Sequence, residues 1–206
     1  ALVGTQGSVG VASGSCVALD TEGHILTNYH VVESSSSIKV TTYDGTSYDA
    51  QLIGYDESND VAVLKIDAKD LTPVTIGDSD NLNVGDSVIA IGNPLGVELR
   101  GTMTNGIISA INRAVEVDGK SMTLLQTNAA LNNGNSGGPL ISDSGQVVGI
   151  NFMKMYARYS TVEGLGFAIP SVQAERVVND LLAYGALQPE PVLGVSVRQI
   201  PTQLTD

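Results

Sequence analysis

The sequence predicts an all-β protein, a barrel or sandwich, followed by one helix. Three observations carry this. Short apolar or alternating runs recur along most of the 206 residues. Gly, Asn, Asp and Ser cluster between them, and 23 glycines supply tight turns. Only the stretch 171–186 has the spacing of an amphipathic helix.

The first group of predicted strands is 16–19, 25–28, 38–42, 48–54 and 61–66. The second is 74–76, 87–91, 106–110, 123–127, 139–141, 147–150 and 166–169. The Ser34–Ser37 run reads as a surface turn, and 112–120 and 154–164 read as polar, irregular loops. In the helix, Ala174, Val177, Val178, Leu181 and Leu182 make an apolar stripe. Ser171 is placed to cap its start and Gly185 to end it.

Hydrophobic residues make up 42% of the chain, enough for a core. A formal net charge of −12 argues against binding nucleic-acid phosphate. The single cysteine, Cys16, excludes an intrachain disulfide, and its apolar neighbours mark it as a buried strand residue. One cysteine and two histidines give no zinc-ligand spacing, so neither metal nor cofactor is expected. No run approaches the roughly 18 apolar residues of a membrane span, and the first residues are not expected to be a signal peptide.

The segment Gly134-Asn135-Ser136-Gly137-Gly138-Pro139-Leu140 places a serine in a tight, glycine-rich turn. Such a turn can aim backbone N–H groups at a developing oxyanion beside a nucleophilic hydroxyl. The serine then needs a histidine base, and the histidine a carboxylate. His30 lies in a rigid, β-prone run, whereas His24 falls in a polar turn and reads as exposed. Asp60 opens the alternating run Val61–Ile66, while Asp56 and Glu57 read as solvated turn residues.

Chain order then separates folds. Gly134–Gly138 formally fits the G-x-S-x-G elbow of α/β-hydrolases, but no histidine follows Ser136. The order Asp, His, Ser would need Asp20 as the carboxylate and long helices that this chain lacks. The remaining order, His30, Asp60, Ser136, is that of the chymotrypsin-like double β-barrel, with the triad assembled between the barrels.

At this point the sequence resembles the protease domain of the HtrA (Deg) family of serine proteases. The resemblance rests on Thr27–Val32, Asp60–Lys65, Ile91–Gly96, Thr127–Leu140 and Gly164–Pro170, in that order. Asn128 and Asn133 depart from the family pattern, which commonly has aspartate and proline there. Asn135 replaces the aspartate that digestive enzymes pair with a newly cut N-terminus, so activation by N-terminal cleavage is not expected.

The resemblance implies an all-β fold of two six-stranded barrels with a C-terminal helix. Residues 1–187 would form the protease domain, split near 70–85, with 188–206 a linker and the first residues of a truncated PDZ domain. His30, Asp60 and Ser136 would be catalytic, and the N–H groups of Gly134 and Ser136 the oxyanion hole. Leu131, Asn151, Phe152 and Met153 would bind substrate, with Asn151, Phe152 and Met153 offering backbone hydrogen bonds. Leu131 and Met153 would line a pocket for small to medium apolar residues. The implied partners are unfolded proteins or peptides and two further copies in a homotrimer, with no nucleic acid. The implied location is extracytoplasmic, with membrane tethering in the full-length protein. The rival reading is a chaperone-like binder of unfolded chains that lacks turnover.

Overall fold

The computed structural model describes residues 2–7, 10–94, 97–117, 119–152 and 164–189. The first half contributes β1 (Leu2–Gly7), β2 (Gly10–Ser15), β3 (Val17–Ala18), β4 (His24–Thr27), a single helical turn α1 (Tyr29–Val32), β5 (Ser35–Thr41), β6 (Ser47–Asp56) and β7 (Val61–Ile66). The second contributes β8 (Ser87–Gly92), β9 (Thr102–Val117), β10 (Lys120–Thr127), β11 (Pro139–Ser142), β12 (Val147–Phe152), β13 (Gly166–Pro170) and the helix α2 (Ser171–Tyr184).

The second set closes into a six-stranded antiparallel barrel, β10-β13-β12-β11-β8-β9. The first set forms a seven-stranded sheet, β2-β1-β5-β6-β7-β4-β3. Its two edge strands, β2 and β3, are separated in sequence by Cys16 alone. A sheet whose opposite edges are one residue apart must curl until those edges meet. Counted as one bent strand, β2–β3 makes this a six-stranded barrel as well. The all-β double-barrel expectation therefore holds.

Alternation along the strands explains how the barrels join. In β7, Ala62, Leu64 and Ile66 fill the first barrel together with Val3, Cys16, Ile25 and Val40. Val61 and Val63 point the other way, into a seam shared with Ile150, Phe152 and Ile169 of the second barrel. A strand buried on both faces reads as a near-continuous apolar run, which is what Val-Ala-Val-Leu-Lys-Ile is. The helix α2 closes one side of the seam with Ala174, Val177, Val178 and Leu181.

Four local expectations change, the first being that Ser35–Ser37, read as part of a surface turn, opens β5. The predicted irregular loop at 112–120 is a β-hairpin in which Val117 pairs with Lys120 and Arg113 with Leu124. Val115, Val117 and Met122 alternate into the seam, and two residues separate the paired ends Val117 and Lys120. The predicted strand 74–76 is reduced to one bridge, Ile76 to Val147. Ser171 does not cap its own helix: its hydroxyl donates to Gly77 O (2.6 Å) and accepts from Ser79 N (3.1 Å), tying α2 to the connection between barrels. The region expected to open a PDZ domain lies outside the described residues. As expected, Cys16 is buried, which pushes its thiol pKa up and makes it a packing residue. Helix α2 ends at Gly185 as predicted. Among the described residues no helix is long and apolar enough to cross a membrane.

Leu124 is fully buried in the seam, whereas Ile107, on the partner strand of the same hairpin, is 40% exposed. Leu124→Ala is expected to lower the unfolding free energy by about 2–5 kcal/mol in urea denaturation. Ile107→Ala should cost much less.

Candidate active site

His30 is not on a strand. β4 ends at Thr27, and one helical turn lifts Tyr29–Val32 out of the sheet. The cause is a contact far along the chain. Tyr29 N–H (3.2 Å) and Asn28 Nδ2 (3.1 Å) both donate to the carbonyl of Asp60. Asp60 itself sits in the left-handed region, at φ 52°. That conformation is uncommon outside glycine but accessible to Asp.

The Asp60 carboxylate grips residue 30 twice. Oδ1 accepts from the backbone N–H of His30 at 2.8 Å, and Oδ2 faces ring Nδ1 at 2.6 Å. A carboxylate only accepts, so Nδ1 carries the proton and Nε2 is left as the basic nitrogen. Asp60 is 4% exposed, and Phe152 meets the imidazole edge-on at a centroid distance of 5.9 Å. The ring's tautomer and tilt are thus both fixed. Asp56, expected to be solvated, is buried and accepts from the N–H groups of Ser58 and Asn59, shaping the turn that presents Asp60.

Ser136 comes from the other barrel, on the loop between β10 and β11. Ser15 N–H, on β2, donates to Ser136 O at 2.7 Å. Gly137, at φ 81°, lies so close to the histidine-bearing segment that a Cβ there would stand 2.3 Å from Thr27 Oγ1 and 3.1 Å from Asn28 N. Glycine is required at this crossing, and the crossing seats the serine loop two residues from His30.

Before the serine, Asn135 N–H donates to Asn132 O at 3.0 Å and closes a four-residue turn. Gly134 occupies its third position at φ 102°, the type II geometry that calls for glycine. A Cβ on Gly134 would also lie 2.3 Å from Asn93 O. Gly134 and Ser136 are buried, and among the described residues neither of their N–H groups meets an acceptor. Orphaned buried N–H groups are rare, and two in one turn leave a gap for an anionic oxygen.

The expected substrate residues fare differently. Asn151 donates its backbone N–H to Gly138 O (2.8 Å) and accepts from Gly137 N–H (3.0 Å). Its side chain donates to Ile91 O and Pro139 O. Asn151 is therefore scaffold for the serine loop, and its backbone cannot serve a substrate. Phe152 is fully buried and pairs with Phe167 across β12–β13, and its ring packs edge-on against His30. Leu131 is half-buried against Gly166. Met153 lies outside the described residues.

His24, expected to be exposed, is only 19% exposed and pairs through Nδ1 with Asp20 Oδ2 at 2.5 Å. Asp20 Oδ1 also accepts from the N–H groups of Glu22, Gly23 and His24. Burial opposes the Asp20 charge, but the bonds from His24 and the backbone outweigh it and hold the carboxyl below its ordinary range. A depressed folded-state pKa adds stability above the unfolded value, and that stability is lost as pH falls through the folded one. Asp20→Asn should therefore lower the melting temperature at pH 7, and the gap from wild type should close as the medium is acidified below about pH 4. A gap that persists in acid would contradict this.

The fold and the sequence have known relatives. Residues 14–150 match the Trypsin-like peptidase domain family. "Serine protease Do-like HtrB" of Bacillus subtilis (strain 168) is 49% identical over 181 residues, covering 85% of this chain and 39% of that protein. A "Probable periplasmic serine endoprotease DegP-like" of Chlamydia muridarum is 43% identical over 191 residues, covering 93% of this chain and 38% of its own. Among solved structures, the HtrA-type protease AlgW with tripeptide superimposes with a TM-score of 0.82 at 39% identity, covering 89% of this chain and 60% of that one. The serine endoprotease from Yersinia pestis gives 0.76 at 39% identity, covering 89% and 62%. The chain spans about two fifths of the length of these curated relatives. Two joined β-barrels, a histidine held by a buried aspartate and a serine in a glycine turn between them place this chain in the trypsin-like peptidase family, with its close similarity to the HtrA-type serine proteases.

Proposed function

We propose that the protein is a serine endopeptidase in which His30, Asp60 and Ser136 form the triad. Ser136 Oγ attacks the peptide carbonyl while His30 Nε2 takes its proton. Asp60 keeps the proton on Nδ1 and stabilises the imidazolium. The N–H groups of Gly134 and Ser136 receive the oxyanion. The C–N bond then breaks, His30 gives its proton to the leaving amine, and water resolves the acyl ester by the same steps in reverse.

The observation that carries this reading is the pair of buried, acceptor-less N–H groups on the serine's own turn, beside a histidine already oriented by a carboxylate. A binder without turnover has no use for that pair. For the rest of the assignment the support is family likeness. Leu131 and Met153 would shape a pocket for small to medium apolar residues. Unfolded proteins would be the substrates, in extracytoplasmic quality control, with a trimeric assembly and a membrane tether in the full-length protein. The Chlamydia relative is named as periplasmic, and AlgW was solved with a tripeptide. Residues 1–187 would be the protease unit, and 188–206 a linker toward a PDZ domain.

A fluorophosphonate probe should label Ser136, and Ser136→Ala should remove both labelling and cleavage of an unfolded protein while leaving the fold intact. Asp60→Asn should lower kcat by about four orders of magnitude. Cleavage that persists in pure Ser136→Ala, or no labelling of the wild type with or without an activating peptide, would overturn the assignment.

A further inference from the structure

The turn that carries the two N–H groups is held from behind by a single hydroxyl. Ser15 Oγ donates to Gly134 O at 2.7 Å. The same oxygen accepts from Asn93 N at 3.0 Å and Asn93 Nδ2 at 2.9 Å. A serine hydroxyl has one proton and two lone pairs, so Ser15 is fully used. It is 2% exposed and Asn93 is 3% exposed. The backbone of Ser15 adds the bond to Ser136 O. One residue of the first barrel thus grips the carbonyls of both Gly134 and Ser136, the two residues whose N–H groups lack an acceptor among the described residues.

Asn93 extends the grip outward. Its Oδ1 accepts from Gly101 N–H at 3.0 Å. On the far side of that loop, Arg100 Nη1 reaches Thr42 O of the first barrel at 3.4 Å. Gly101, Asn93, Ser15 and Gly134 therefore form one continuous hydrogen-bonded chain, from a surface loop to the serine turn.

The geometry points to Ser15 as a positioning residue for catalysis, a latch that, with Asn93, holds the Gly134 turn in the shape that presents its N–H groups. Ser15 touches no reacting atom. It acts by fixing the Gly134 carbonyl, and with it the plane of the turn. This inference rests on the serine-protease reading above and adds which residues set its oxyanion hole.

Oxyanion donors matter in the transition state far more than in the ground state. Ser15→Ala should therefore lower kcat and leave KM within about twofold, the loss falling between about tenfold and a hundredfold, less than removing a donor outright. A peptide aldehyde places its hemiacetal oxygen in the same hole, so its inhibition constant should rise by a similar factor. Binding of the corresponding cleaved peptide should be unchanged. Asn93→Ala, which leaves the Ser15 proton in place but frees the hydroxyl to turn, should show the same pattern at smaller amplitude. A merely structural role would lower the melting temperature without separating aldehyde from product affinity. The inference is overturned if both variants keep wild-type kcat, or if kcat falls while the aldehyde binds as before. A wild-type protein that cleaves nothing and binds no aldehyde overturns the protease reading itself, and this inference with it.

Discussion

The site depends on one constraint: a loop of the second barrel must be seated on the first. His30 and Asp60 belong to the first barrel and Ser136 to the second, so neither barrel alone holds the chemistry. The seating is made by Ser15 N–H on Ser136 O, Ser15 Oγ on Gly134 O, and the close passage of Gly137 over Thr27 and Asn28. Each such bond contributes only about 1 kcal/mol net to stability. The bonds therefore select a geometry more than they hold the barrels together. Adhesion comes from the seam, where Val61, Val63, Ile150, Phe152 and Ile169 are each at most 1% exposed. At about 1.5–3 kcal/mol for each large apolar side chain buried, five such residues outweigh the two hydrogen bonds severalfold.

This division of labour explains why polar groups crowd the serine loop despite its burial. Most of them are spent. Asn151 donates from its backbone to Gly138 and from its side chain to Ile91 and Pro139, and its carbonyl accepts from Gly137, while Ser15 is saturated. Against that background the unmatched groups stand out: the N–H groups of Gly134 and Ser136, and the side-chain oxygens of Asn28, Asn135 and Asn151, which find no donor among the described residues. Two open N–H groups beside the serine are what the proposed oxyanion hole requires.

Much of this was legible in the sequence, for physical reasons that differ by element. The strands of the barrels show because a half-buried or fully buried strand must alternate or run apolar. The proposed triad can be picked out because only two histidines exist and the order of His30, Asp60 and Ser136 excludes the competing folds. The hairpin at 113–124 was equally visible in Val115, Val117, Met122 and Asp118-Gly119, but its polar outward residues masked the alternation. Other features have no local signal. Tyr-His-Val-Val favours a strand, and His30 turns helical only because Asp60, 30 residues on, captures the backbone before it. Ser15 meets Asn93 and Gly134 at separations of 78 and 119 residues. Asn151 looked free to pair with substrate because nothing in its own segment shows that the serine loop already occupies it.

The most direct test of the account is a crystal structure of the protein with a peptide boronic acid. The account predicts boron bonded to Ser136 Oγ, with one boronate oxygen about 3 Å from both Gly134 N and Ser136 N, and the Ser15 bond to Gly134 O intact. A boronate oxygen turned to solvent, with the peptide between Asn133 and Gly134 rotated and its N–H aimed elsewhere, would contradict it.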